Sequence, residues 1–592
     1  MTRLILHRIL LLVFILLTSL VTACGGGNDG SSGGNVPPVS FQITTSINTG
    51  KGTITSSPSG ISCGTNCTEY YNSGTQVILQ AVPDAGYIFD GWSGDCSGTA
   101  TCIVTVNQDR SVSASFSPAP ANTFQLIVST STGGSVSSSP AGINCDSDCT
   151  ESYNSGDSIT LTATPQQGYS FVGWSGACSG NSSCTITMDQ IQAVIAFFSS
   201  DNLCDGLITD KNNHPMTALA KPALGVAVTD PEFGTQIRRI SAAQTGAVIK
   251  PMYSTIPAWN ADESYLILYH TAGSNSGHHL YDGKSYAHIR LLNIAPPDLE
   301  QVFWSTTEPD ILFYIDNYYG NGNTPTLVRY HVSTDSADAV HAFNSCDRVT
   351  SGGDPMFTSW DSNVFGLLCE QGNNRFRFNY RIDTDTESSM IATSGYDAPQ
   401  ASATGNLFFF AGEGNADILD ITNTFVRTLD IGSPADHASL GMLADGTDTF
   451  YGVDFSGGTN CGSGALVAHD MTNGNCRVIV GESNGYPYPP SGTHVSALSF
   501  QKPGWVTVSM VGYNYDGQSV LDNEIVLANT NPGGSVCRVA HHRSWGKAGG
   551  QGYWAEPHVV ISPSGTRILF GSDWGGSNTV DSYVVELPNY AP

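Results

Sequence analysis

The sequence predicts an all-β protein, a seven-bladed β-propeller preceded by two small disulfide-stapled β repeat domains. Three observations carry this. Short runs rich in Val, Ile, Thr, Tyr and Phe alternate with Gly, Asn, Asp, Ser and Pro, and 65 of 592 residues are glycine. A set of five landmarks recurs at one fixed spacing in the N-terminal third. Beyond about residue 200, a multi-strand unit opens seven times. A chain of this length holds several domains and a large core.

The N-terminus carries Arg3 and Arg8, an apolar run from residue 9 to 20, and then Leu20-Val-Thr-Ala-Cys24. This pattern predicts a lipoprotein signal peptide over 1–23, cleaved before Cys24, with lipid added to the Cys24 thiol. The run is short for a membrane span of about 20 residues. Gly25 stands where an Asp would retain such a protein at the inner membrane, so the expected destination is the outer membrane or cell surface. Residues 24–40, rich in Gly and Ser, read as a flexible linker.

Cys63, Cys67, Trp92, Cys96 and Cys102 recur as Cys145, Cys149, Trp174, Cys178 and Cys184, each shifted by 82 residues. Within each unit polar and apolar residues alternate, as in Ser111-Val-Ser-Ala-Ser-Phe. Units this small need covalent support, and four cysteines supply two disulfides each in an oxidising compartment. A zinc site is the competing use of such cysteine pairs. The phrases Gly86-Tyr-Ile-Phe-Asp-Gly-Trp-Ser-Gly and Gly168-Tyr-Ser-Phe-Val-Gly-Trp-Ser-Gly resemble the divergent bacterial surface repeat related to the internalin B-repeat. The resemblance covers 41–117 and 124–199 and implies a spacer or adhesion module without catalysis.

The propeller is expected over 225–592. Its seven openings are Ile256-Pro-Ala-Trp-Asn, Gln301-Val-Phe-Trp-Ser, Met356-Phe-Thr-Ser-Trp-Asp, Gln400-Ala-Ser-Ala, His437-Ala-Ser-Leu, His494-Val-Ser-Ala-Leu-Ser and His558-Val-Val-Ile-Ser. Units with four strands each indicate blades. The last unit shows three strands, ending at Tyr583-Val-Val-Glu-Leu, and Thr235-Gln-Ile-Arg-Arg-Ile is available to complete it. Of the six propeller cysteines, Cys346 and Cys369 are expected on one face of one blade and form the favoured pair.

A formal net charge of −28 repels nucleic acid and excludes it as a partner. No nucleophile elbow, P-loop or dinucleotide fingerprint is present, while scattered Asp and Glu leave a two-carboxylate glycosidase site open. In a propeller, first-strand starts and the loops between second and third strands share one face. His437, His494 and His558 stand at three such starts, with Asp436 and Glu556 adjacent, and their imidazoles suit a divalent ion such as Zn, Ca or Mn. The segment from His270 to Gly283 reads as a Gly/Ser-rich loop bearing His270, His278 and His279. Neighbouring loops offer Tyr318, Tyr319, Arg375, Arg377, Tyr513 and Tyr515. Arg pairs with carboxylate or sulfate through parallel N–H donors. This set meets the needs of uronate β-elimination, in which a neutralised carboxylate allows a base to take the C5 proton.

Asp230-Pro-Glu-Phe-Gly-Thr-Gln-Ile-Arg-Arg-Ile, Trp259-Asn-Ala-Asp, His279-Leu-Tyr-Asp-Gly-Lys and Glu556-Pro-His-Val-Val-Ile-Ser-Pro-Ser-Gly-Thr-Arg resemble propeller polysaccharide lyases over about 225–588, most closely the ulvan lyases and more distantly the oligogalacturonate lyases. The resemblance implies His279, or alternatively His278, as base and Arg375 as the group neutralising the uronate. It places Gln301 where these lyases can carry a second His. Phe357 stands near the position of the family's Tyr acid, so Tyr318, Tyr319 or Tyr380 would substitute. The expected function is thus a monomeric surface lipoprotein cleaving acidic, ulvan-like polysaccharide. The alternative is a non-catalytic propeller that captures carbohydrate or protein.

Overall fold

The computed structural model describes residues 40–590 except 120–121, 146, 273–275, 323, 354, 356, 412–414, 432–437, 459–460, 487–491, 513–515, 545–551 and 589. The signal peptide, Cys24, Met356, Asp436, His437, Tyr513 and Tyr515 therefore lie outside the described residues. The named elements are β-strands and single 3₁₀ turns.

Each N-terminal repeat folds as two facing sheets. In the first, Ser40–Thr49 pairs antiparallel with Thr68–Asn72 and parallel with Arg110–Pro118, and the second sheet centres on Gly52–Ser57 and Gln76–Pro83. Alternating residues fill the space between the sheets, including Ile43, Ile54, Val77, Leu79 and Val112. The recurring Gly-Trp has a steric cause. Gly91 lies at φ +144°, and a Cβ there would come 2.9 Å from the Gly98 carbonyl. The next residue, Trp92, then turns inward to meet Phe89 edge-on at 5.1 Å. The zinc alternative is overturned, because the cysteines pair as Cys63–Cys67, Cys96–Cys102, Cys145–Cys149 and Cys178–Cys184.

The repeats are fastened to each other and to the next domain. The Gln125 side chain both donates to the Phe89 carbonyl and accepts from the Phe89 N–H. Asp201, at the end of the second repeat, pairs with Lys502 of the propeller, and Cys204 is disulfide-bonded to Cys537. Cys346–Cys369 also forms, as expected, and Cys461–Cys476 completes seven bridges. Fourteen of the fifteen cysteines are thus paired, and the remaining one is Cys24.

Among the described residues seven sheets follow, and their apolar faces are shared in sequence. Ile267 and Leu280 of the first pack on Trp304 and Leu312 of the second. Phe313 meets Phe365 of the third, Val364 meets Phe408 of the fourth, and Phe409 meets Phe450 of the fifth. Leu466 joins Val508 of the sixth. The largest cluster unites Leu527 of the sixth, Leu569 of the seventh and Leu266 of the first. Each such large side chain contributes about 1.5–3 kcal/mol on burial. The final sheet takes Gln236–Arg239 as its outer partner, with Gln236 opposite Glu586. Asp581, fully buried, accepts from Lys221 at 2.6 Å, Arg239 at 2.9 Å and the Ala243 N–H at 2.7 Å, which latches the N-terminal segment to the last sheet.

Three sequence readings change in detail. The inner strand of the first sheet is split: Ile249–Lys250 pairs with the end of the second strand, while Trp259, in the expected opening, makes an isolated bridge to Leu266. The third sheet is split likewise, with Arg348–Thr350 ahead of a single Thr358–Phe365 bridge. His270, His278 and His279 are not in a loop. His270 ends one strand and His278 and His279 lie inside the next, Gly277–Asp282, because pairing resumes at His270 opposite Gly277. Arg375 and Arg377 similarly belong to the strand Asn374–Arg381.

Candidate functional site at the strand starts

Strand register brings the chemistry-bearing residues to one end of the sheets. Lys250 aligns with Tyr269 and Tyr269 with His278, so these three lie on one face of the first sheet; a Cβ on Gly571 of the seventh sheet would come 3.4 Å from the Lys250 Cβ. In the same way His494 aligns with Ser509, at the beginning of the inner strand Gly492–Ser496. Inner-strand starts of the sixth and seventh sheets bring His494 and His558 together, with ring centroids 4.1 Å apart and both side chains fully buried. Glu556 Oε2 lies 3.7 Å from His494 Nε2. Ligand atoms of His494, Glu556 and His558 all fall within 4.8 Å of one another. Two imidazoles and one carboxylate form a borderline-soft donor set that fits a divalent transition metal.

His558 holds φ +41°, a left-handed backbone that non-glycine residues adopt rarely. Such strain costs on the order of 1–3 kcal/mol and collects at sites where a side chain must be aimed. Tyr253, from the segment that interrupts the first inner strand, stands edge-on to both imidazoles, at 5.3 Å from His494 and 5.1 Å from His558.

Two other donor groups do not compete as metal centres. Cys461 and Cys476, beside His469, have their sulfurs joined to each other. Asp230 and Glu232, beside His541, face Arg543, whose Nη1 is 2.7 Å from Asp230 and whose Nη2 is 3.6 Å from Glu232. The guanidinium supplies the positive charge there.

Lys250 is 1% exposed. Burial pushes its ammonium down to about 7, partly opposed by the carboxylates of Glu300 and Glu556. Its Nζ lies 5.7 Å from the centre of the Trp554 ring. His278 donates from Nε2 to the Leu299 carbonyl at 2.8 Å, leaving Nδ1 with its lone pair, and burial lowers it to about 4. It is therefore a neutral imidazole at neutral pH.

The remaining expected residues occupy separate surroundings. His279 points to the opposite face of its strand, where it stacks on His270 at 3.6 Å and shares a 2.9 Å hydrogen bond with His288. His270 also bonds Tyr281 at 2.7 Å, and burial with the neighbouring imidazoles lowers it to about 3. Gln301 donates to the Gly352 carbonyl at 3.1 Å and accepts from the Ser351 N–H at 3.2 Å, tying the second inner strand to the third. Gly352 is required there, since a Cβ would lie 2.4 Å from the Tyr396 carbonyl. Arg375 lies 4.7 Å over the Tyr396 ring and 3.5 Å from Glu370. The Tyr319 hydroxyl donates to the Ala337 carbonyl at 3.1 Å, Tyr380 is bound to Asp385 at 2.9 Å, and Tyr318 is exposed. Phe357 is buried in the core between the fourth and fifth sheets.

Lys250, Tyr253, Glu300 and Trp554 were not singled out from the sequence. The available signal was a lysine between Ile249 and Pro251, in a strand-forming stretch with no acidic residue beside it.

Residues 43–120 and 124–202 match the Divergent InlB B-repeat domain family. The two N-terminal units are thus similar to divergent InlB B-repeats. No curated protein matches the chain in sequence. Among solved structures, an oligogalacturonate lyase in complex with manganese is 15% identical, with a TM-score of 0.44, covering 64% of this chain and 99% of that one. An oligogalacturonate lyase from Vibrio parahaemolyticus is 14% identical, with a TM-score of 0.45 and coverage of 62% and 97%. The β-propeller domain of the Trilobed protease from Pyrococcus furiosus is 9% identical, with a TM-score of 0.34 and coverage of 59% and 98%.

Proposed function

We propose that the protein is a lipid-anchored surface lyase that cleaves uronate-containing, ulvan-like polysaccharide by β-elimination. The observation that carries this reading is the meeting of His494, Glu556 and His558 with Tyr253 at the strand starts where buried Lys250 also lies. When bound to His494, Glu556 and His558, a divalent ion supplies Lewis acidity toward the uronate carboxylate. Neutral Lys250 accepts the C5 proton at Nζ, an atom that lies buried and that substrate entry uncovers. The C5–H electron pair becomes the C4=C5 double bond as the C4–O bond breaks. Tyr253 gives its hydroxyl proton to the departing oxygen. His278, two strands away on the same face, is a neutral group and adds no second positive charge there. This reading moves the base from His279 or His278 to Lys250 and the acid from Tyr318, Tyr319 or Tyr380 to Tyr253.

The test is to mix the purified protein with ulvan or polygalacturonate and follow the ultraviolet absorbance of an unsaturated uronate. Absorbance is expected to rise, and prior treatment with a chelator is expected to suppress it. Binding without any absorbance change from any uronate polymer would leave a non-catalytic carbohydrate-binding propeller.

Anchoring rests on Cys24, the one cysteine outside the seven disulfides. Labelled palmitate is expected to enter the parent protein and not Cys24→Ala. Equal labelling of both would remove the anchor.

A further inference from the structure

A concavity of about 410 Å³ lies between the outer strands of the fifth and sixth sheets, lined by Lys211, Arg477, Asn484, Tyr486, Asn529 and Asn531. Arg477 also lines an adjoining hollow of about 250 Å³. The groove opens away from the strand starts. Asn529 aligns with Trp505, whereas His494 aligns with Ser509 at the other end of the same sheet.

Its two cations differ from most others in the propeller. Lys221, Arg238, Arg239, Arg538, Arg543 and Arg567 each meet a carboxylate. Among the described residues, Lys211 and Arg477 instead spend one N–H each on a backbone carbonyl, Lys211 on Asn484 and Arg477 on Thr530. Asp445 acts on Arg477 only from beyond ion-pair distance. Lys211 is further positioned 5.0 Å over the Tyr486 ring. Each cation is thereby fixed in place while keeping its charge and several donors. On a chain with a net charge of −28, two converging cations without carboxylate partners are a local reversal of sign. A guanidinium and an ammonium lining one groove recognise carboxylate or sulfate oxygens. The volume falls in the range of small-ligand sites, about 300–1,000 Å³.

We propose that this groove is a second binding site for acidic polysaccharide, in which Lys211 and Arg477 hold a uronate carboxylate or an ester sulfate away from the reacting end. The ligand class rests on the lyase reading, but the site itself does not. A polymer held there stays on the protein between cleavage events.

The experiment measures affinity by calorimetry in a Lys250→Met background, with polygalacturonate as a carboxylate probe and ulvan as a sulfated one. Adding Lys211→Ala and Arg477→Ala together is expected to weaken binding about tenfold or more. In the otherwise unaltered protein the same pair should leave turnover of a short unsaturated-product-forming uronate oligosaccharide unchanged. Lys211→Gln with Arg477→Gln, which keeps side-chain bulk, should reproduce the loss and guards against a folding defect. Loss with both polymers assigns the carboxylate, and loss with ulvan alone assigns the sulfate. Unchanged affinity in both double variants, or no binding of either polymer by the Lys250→Met protein, overturns the site. Binding lost in the double variants of a protein that never produces unsaturated uronate keeps this site and removes the lyase reading.

Discussion

Replacing His494 or His558 by alanine is expected to strip the divalent ion from the protein and lower turnover by about 10³-fold, since Lewis-acid stabilisation contributes several kcal/mol. Metal analysis of the purified variants, alongside initial rates, checks this. The two positions differ in what they do to the fold. Both imidazoles are fully buried, so either truncation leaves space in the interior. At position 558, however, the backbone is at φ +41°. His558→Gly therefore relieves backbone strain on the order of 1 kcal/mol while still removing a ligand. The expected pattern is that His558→Gly unfolds at a temperature equal to or above that of His558→Ala, with metal absent from both. Full metal occupancy in the His494 and His558 variants would sink the assignment of these side chains as ligands.

Much of the architecture is legible in the sequence because propeller units repeat a hydrophobic pattern that only radial packing satisfies. Openings such as Gln301-Val-Phe-Trp-Ser announce inner strands, and the missing fourth strand of the last unit has a visible donor in Thr235-Gln-Ile-Arg-Arg-Ile. The Cys346–Cys369 pair is legible because both residues fall on one face of one blade. The site is less so. His494, His558 and the adjacent Glu556 can be picked out, since they stand at matched positions, but the choice between His278 and His279 cannot. Neighbouring residues in a strand face opposite sides, and only the register Lys250–Tyr269–His278 decides which one shares a face with Lys250. Lys250 and Tyr253 are hidden by the interruption of the first inner strand. The periodic signal marks Ile256-Pro-Ala-Trp-Asn, the downstream half, and the two-residue upstream half is too short to carry a period of its own.

Lys250→Met is expected to lower turnover by about 10²–10⁴-fold, the contribution of a positioned proton acceptor, and at the same time to stabilise the protein. The two effects have one origin. Burial drives the lysine from 10.5 down to about 7 in the folded chain. Between those two values the unfolded chain binds a proton that the folded chain does not, so parental stability rises with pH across that window. Below about pH 7 both states are protonated and the folded state carries the full penalty of a buried ammonium, on the order of a few kcal/mol. Methionine has similar length and no charge to desolvate, so the variant lacks this slope. Its advantage over the parent should be largest below about pH 7 and shrink as the pH climbs toward the ordinary lysine range. Activity in the parent should run the other way from that penalty, rising through about pH 7 as the neutral amine appears. Thermal unfolding of both proteins across this window, with initial rates at the same pH values, makes the comparison. Parallel stability curves together with undiminished turnover in Lys250→Met would show that the buried lysine neither burdens the fold nor moves the proton.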